Sequence, residues 1–276
     1  MSNSDIVTKV TTDIIVELEC GVVPWHQPWK GGTYNRATGK GYRGINVWIL
    51  AAAARRRKLG SGGWLTFKQA QGLGGSVRKG ETGTAVVFWK LLSTDEDTTV
   101  PLLRYYTVFH ESQCDGLPEA PAPVKGAVAD ADALIAAYRD RPVVQPGDAA
   151  FYRPSTDTVT IPDRVAFESL AAYYHTLFHE LAHSTGHESR LKRPEVVKAE
   201  QFGTESYAVE ELTAELTAAY CCTASGLDTA TIKPAASYLA SWLRVLKAEP
   251  RLLLTASGRA QKAFDYIAGT TPEADA

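Results

Sequence analysis

The chain has 276 residues, 45% hydrophobic and 22% charged, with a formal net charge of −2. That length accommodates one large domain or two ordinary ones, and the composition is that of a globular protein rather than a disordered or fibrous one. No run approaches the roughly 20 apolar residues of a membrane span, and the first residues lack the basic start and apolar core of a secretory signal. The four cysteines, Cys20, Cys114, Cys221 and Cys222, are scattered, and they read as free thiols of a cytoplasmic protein rather than as a disulfide framework.

Charge is unevenly spread. Residues 1–118 carry 14 Lys/Arg against 10 Asp/Glu, and residues 119–276 carry 15 against 21. Five of the six tryptophans, Trp25, Trp29, Trp48, Trp64 and Trp89, lie in the basic part. The expected division is a domain over 1–118, a stiff Pro-rich linker over 119–128 and a second domain over 129–276, because Pro118, Pro121 and Pro123 favour an extended spacer.

In chain order, Val7, Val10, Ile14, Ile15 and Leu18 recur at helical spacing, and Gly21 can stop that helix. A Pro/Trp loop follows, then a helix over 46–59 and short strands near 64–67, 85–92 and 103–109. The second part reads as a helix over 129–140, strands at 150–152 and 158–161, a long helix over 164–184 capped by Gly186, and helices over 207–225, 234–248 and 258–268. The fold class is α+β in two domains: an N-terminal domain with a small sheet, and a mainly helical C-terminal domain. The segment Asp157-Thr-Val-Thr-Ile161 is either an edge strand able to receive an extended peptide or an ordinary sheet strand.

The long helix carries His179-Glu180-Leu-Ala-His183. Residues four apart share a helix face, so both imidazoles reach one metal ion, and Glu180 is placed to deprotonate a water there. Two histidines do not complete a catalytic site, which normally takes three protein ligands and leaves one position open. Glu211 and Glu215, at i and i+4 on the next helix, offer one ligand and one carboxylate to orient a ligand histidine. Glu211 is the preferred third ligand, with Glu215 and His187 as alternatives; Glu210 points about 100° away from that face. His175 sits one turn before His179 in a packing or supporting position, and Tyr207 and Tyr220 are candidate oxyanion donors or core residues. The implied cofactor is one divalent metal ion, Zn2+ by its donor set, with manganese, iron or nickel also compatible.

The basic part interleaves aromatic and cationic residues: Trp25, Trp29, Arg36, Lys40, Tyr42, Arg43, Lys68, Arg78 and Lys79. Rings that stack on bases and cations that track phosphates suit single-stranded nucleic acid. Trp48, Trp64 and Trp89 are expected in the core.

Taken in order, Pro24-Trp-His-Gln-Pro-Trp29, Tyr42-Arg-Gly-Ile-Asn46, Trp64-Leu-Thr-Phe-Lys-Gln69, Val77-Arg-Lys-Gly80, Val87-Phe-Trp-Lys90 and Gln113-Cys-Asp-Gly-Leu117 resemble the ArdC family. So do His179-Glu-Leu-Ala-His-Ser-Thr-Gly-His187, Arg190-Leu191, Phe202-Gly203 and the stretch from Tyr207 to Glu215. His110 departs from the asparagine frequent there. The resemblance implies an antirestriction protein of plasmids and phages, with an N-terminal single-stranded DNA-binding domain and a C-terminal zincin-like metallopeptidase domain. It further implies action in the cytoplasm, shielding incoming DNA from restriction endonucleases. Family membership does not fix a peptidase substrate; the expected partners are single-stranded DNA and a protein substrate such as a component of the restriction system.

Overall fold

The computed structural model of the chain describes residues 3–26, 33–60, 62–93, 99–119, 130–198, 204–229, 232 and 236–270. It divides into two compact units, and the division does not follow the chain once through. One unit comprises residues 1–20 and 29–125; the other comprises 21–28 and 126–276.

In the first unit, helix α1 (Asn3–Glu19) buries Val10, Ile14 and Leu18, one residue per turn on one face. Strand β1 (Tyr34–Asn35) precedes α2 (Ile45–Arg57), whose run Ala51–Ala54 permits close helix packing and whose left-handed cap at Lys58 returns its N–H to Ala54 and Arg55. Strand β2 (Gly63–Thr66) ends where the Thr66 hydroxyl accepts the Gln69 N–H, a capping box that starts helix α3 (Phe67–Gly72). Strand β3 (Ser76–Val77) pairs with β6 (Cys114–Asp115), outside the main sheet. That sheet has the order β1-β2-β5-β4 and is built around a long antiparallel ribbon of β4 (Thr84–Ser93) and β5 (Thr99–His110). Leu50, Ala53, Trp64, Val86 and Val108 form its core, and the Asn46 amide bonds both backbone groups of Val87 on β4.

In the second unit, α4 (Ala131–Ala137) leads into β7 (Val143–Pro146), β8 (Phe151–Arg153) and β9 (Thr158–Ile161), ordered β7-β9-β8. The segment at 158–161 is therefore the middle strand, with both backbone edges already paired, and it cannot accept a peptide by strand addition. Helix α5 (Leu170–Ser184) starts later than the expected 164, because Phe167 is extended and the Ser169 hydroxyl caps Ala172 N–H. A short α6 (Pro194–Val197) precedes α7 (Glu205–Ala224), α8 (Ala236–Ala248) and α9 (Leu252–Ile267). Tyr174, Leu177, Phe178 and Leu181 of α5 share a core with Ala218, Cys221 and Cys222 of α7 and Ile267 of α9. This architecture is α+β, a sheet-containing N-terminal part followed by a mainly helical C-terminal part. No helix among the described residues is long and apolar enough to cross a membrane.

Gly186 does not end α5 through a left-handed conformation; the helix closes on Thr185 with ordinary helical angles. Gly186 is needed for space instead: a Cβ there would stand 2.6 Å from Val196 and 3.0 Å from the Arg193 guanidinium.

Candidate metal centre

Helices α5 and α7 face one another through two rows of polar side chains at one-turn spacing: His175, His179 and His183 on α5, Glu211 and Glu215 on α7. His179 Nε2 and His183 Nε2 are 3.2 Å apart. Glu211 faces both, with Oε2 3.4 Å from His179 Nε2 and Oε1 3.4 Å from His183 Nε2. His179, His183 and Glu211 thus offer three ligand atoms at one point.

The rings' other nitrogens fix which nitrogen of each histidine is turned toward Glu211. His183 Nδ1 donates to Glu210 Oε1 at 3.0 Å, and His179 Nδ1 lies 3.3 Å from Glu215 Oε2. With a proton held at each Nδ1, each Nε2 is the nitrogen that gives up its proton to a metal ion. Glu211 Oε2 is buried without a hydrogen-bond partner, an arrangement that costs energy unless a cation satisfies it. Two inward nitrogens and an unbonded carboxylate oxygen fit a divalent transition metal bound by two nitrogens and one oxygen.

Proton affinities follow the same geometry. Burial is the largest influence on both histidines and disfavours their cations, but the surrounding carboxylates outweigh it. His179 is held well above the ordinary value by Glu211 and Glu215, and His183 is raised to about 9 by Glu210 and Glu211. For Glu211, burial works upward, and the two imidazoles reverse it to give a strongly lowered pKa. Without metal, protons therefore compete for the same site.

Glu210 is the residue whose importance was hidden by its helical angle. It holds His183 and is itself clamped by Arg193, with Nε to Oε2 and Nη2 to Oε1 both at 2.7 Å. Arg193 also donates to Thr185 Oγ1 and the Ala182 carbonyl. An arginine ten residues past the motif, on a loop, offers no periodic signal.

The Tyr207 hydroxyl faces Glu211 and Tyr238; burial and the Glu211 charge raise its pKa. Tyr220 instead lies in the core beside Phe264 and Ser257. His187 bonds Ser189 Oγ at 2.8 Å and is not among the converging ligand atoms. Glu180 is buried, next to His179 on α5.

The residues proposed for nucleic acid divide differently. Trp25 is 1% exposed and packs edge-on against Trp242, so its ring is not available to stack on a base. Arg36 is 3% exposed and spends its guanidinium on Glu111 and the Pro118 carbonyl. Both expectations are corrected, because neither residue could be told from sequence to fill a core position. Trp29 lies outside the described residues. Tyr42 is half-buried against the sheet core, and burial pushes its hydroxyl up to about 12. Lys40, Arg43, Lys68, Arg78 and Lys79 are exposed, although Arg78 is paired with Glu81 and Asp115.

The helix pair with its His/His/Glu donor set defines a zincin-like metallopeptidase domain, and residues 129–259 match the family model of that description. Residues 4–109 match the model for the N-terminal domain of anti-restriction factor ArdC. The chain is similar to the crystallised antirestriction ArdC protein of plasmid R388. Its Mn(II)-bound structure is 39% identical, with 95% of this chain and 97% of that chain covered and a TM-score of 0.79. The metal-free structure of the same protein gives 37% identity and a TM-score of 0.78, covering 97% and 100%. The chain belongs to the ArdC family. It is also 36% identical to the uncharacterized protein y4eC of Sinorhizobium fredii, covering 96% of this chain and 92% of that one. DNA primase TraC of Escherichia coli is 37% identical over 94% of this chain, which spans just 19% of that primase's length.

Proposed function

We propose that this protein is an antirestriction factor of a mobile element that binds single-stranded DNA through its first unit and hydrolyses peptide bonds at the metal centre of its second. The observation that carries the reading is the convergence of His179 Nε2, His183 Nε2 and the unbonded Glu211 Oε2 within an ArdC-family chain. When bound, a divalent cation supplies Lewis acidity toward a carbonyl and a lowered water pKa. Glu180 takes the proton from the attacking water and returns it to the departing amine. Tyr207, beside Glu211, donates its hydroxyl to the developing oxyanion. Glu210 and Glu215 hold the two imidazoles in the ligating tautomer. Zinc suits this donor set, and the Mn(II) in the R388 structure supports a site that is not exclusive to zinc. The exposed cations Lys40, Arg43, Lys68 and Lys79 track the phosphates of the strand.

The test pairs two measurements on the full chain. Hydrolysis of an unstructured protein substrate should require the metal and disappear in Glu180→Ala, while gel-shift of a short single-stranded oligonucleotide persists in that variant. No binding of the oligonucleotide at low salt would sink the DNA half of the reading. Stoichiometric metal without any hydrolysis of a varied substrate panel would sink the peptidase half.

A further inference from the structure

Residues 21–28 leave the first unit, join the second, and return, and they carry a histidine into the interior beside the metal centre. Within that segment a 3-10 turn (Pro24–His26) is anchored at every polar group of His26. Its N–H bonds the Val23 carbonyl at 3.1 Å, and its carbonyl accepts from Thr229 Oγ1 at 3.2 Å. Its ring Nδ1 lies 2.8 Å from the Ile232 carbonyl oxygen and its Nε2 lies 2.5 Å from Glu215 Oε1. Both ring nitrogens are therefore engaged, and the ring forms a rigid bridge between a backbone carbonyl and a carboxylate. The ring is 2% exposed and packs edge-on against His175 at 5.1 Å, while the adjacent Trp25 lies against Trp242.

We propose that His26 is a positioning residue of the metal centre, reached through Glu215 and supplied from outside the 129–259 stretch that the metallopeptidase model spans. With Glu215 Oε1 fixed by His26, its other oxygen, Oε2, is directed at His179 Nδ1, 3.3 Å away. That contact keeps the proton on Nδ1 and the lone pair on Nε2, where the ion binds. The chain His26–Glu215–His179 is the counterpart of Arg193–Glu210–His183, in which an arginine fixes the carboxylate that orients the second ligand. Each ligand histidine therefore has its own carboxylate, and each carboxylate its own buried nitrogen-bearing partner, His26 or Arg193.

This inference rests on the metal site proposed above, and the experiment separates the two. Cobalt(II), whose visible absorption reports ligand geometry, is titrated into the full metal-free chain against a competing chelator. One equivalent should bind to the wild-type chain. His26→Ala should weaken cobalt roughly 10–100-fold, the range for loss of an outer partner, and alter the absorption bands. His26→Gln, whose amide can still donate to Glu215, should recover most of the affinity. Trp25→Phe tests whether general loosening of the segment has the same effect, and it should leave affinity and spectrum unchanged. Circular dichroism before titration establishes that each variant is folded. A folded His26→Ala chain with wild-type affinity and spectrum overturns the proposal, and so does equal weakening by Trp25→Phe. Two equivalents in the wild type, one of them lost in His26→Ala, would show that His26, His175 and Glu215 bind an ion themselves and would also overturn it. If the wild type binds no cobalt, the metal-site reading fails first.

Discussion

His179 Nε2 and His183 Nε2 stand 3.2 Å apart while the opposite nitrogen of each ring faces a different buried carboxylate. With each outer nitrogen held by its own carboxylate, both inner nitrogens converge on one point, where a divalent cation would replace the protons they otherwise share.

Removing the inner carboxylate should therefore cost more than removing any outer partner. Glu211→Ala is expected to lower metal affinity by more than the roughly 100-fold upper range for outer-shell losses. Metal analysis after purification and dialysis checks this; unchanged content would move the third ligand elsewhere.

Metal removal should also destabilise the second unit. An ion present at about 1,000 times its dissociation constant stabilises the state that binds it by about 4 kcal/mol. Thermal unfolding with and without chelator should show the loss in wild type and a much smaller one in Glu211→Ala. Chelation that leaves the unfolding curve in place would contradict tight binding to the native state.

Arg193→Ala strands Glu210, which is buried and has Arg193 as its bidentate cation. Breaking one side of a buried pair costs about 3–5 kcal/mol, and the expected readout is a lower urea midpoint. Substitution of Gly186 by alanine acts on the same clamp, since its Cβ would press on Val196 and Arg193. The two substitutions should consequently be less than additive, and full additivity would argue against a shared cause.

Acid should weaken the link between the turn that precedes β9 and the loop after α5. Asp157 pairs with Arg190, with Nη1 to Oδ1 at 2.9 Å, and accepts from Tyr152 at 2.8 Å. Burial pushes the Asp157 pKa upward, but Arg190 and Tyr152 together hold it below its ordinary 3.8. The folded value is thus below the unfolded one. The stabilisation is complete above about pH 4 and is lost as pH falls through the folded value. Asp157→Asn is the suitable variant because Asp157 has φ of 48°, a conformation asparagine tolerates. Its stability should fall less than wild type's as the pH is lowered from 5 to 2; parallel curves would exclude the pair as the source.

Phosphate contacts by exposed lysines should appear in the salt dependence. Lys68→Ala and Lys79→Ala should each reduce the slope of log affinity for single-stranded DNA against log salt by about 0.7. Trp25→Phe should leave that slope untouched, because the ring is buried against Trp242. An unchanged slope in both lysine variants would place the strand elsewhere on the unit.

Sequence alone determined the components that depend on local periodicity. The four-residue spacing of His179 and His183 and of Glu211 and Glu215 specifies a helix face whatever surrounds it, and the ordered ArdC-like motifs named the family. Sequence patterns located the longer strands, although the short β1, β3, β6 and β7 and the capped start of α5 were not legible, because strands of two to four residues and a serine cap compete weakly with longer patterns. Tertiary structure alone decided which polar groups meet. His26, Arg193 and Glu210 acquire roles because packing brings together residues 189 positions apart in one case and 17 in another, and no local pattern encodes such distances. It also decided that Trp25 and Arg36 are interior. An indole or guanidinium suits a nucleic acid and a satisfied core pocket equally well in sequence, and burial chooses between them.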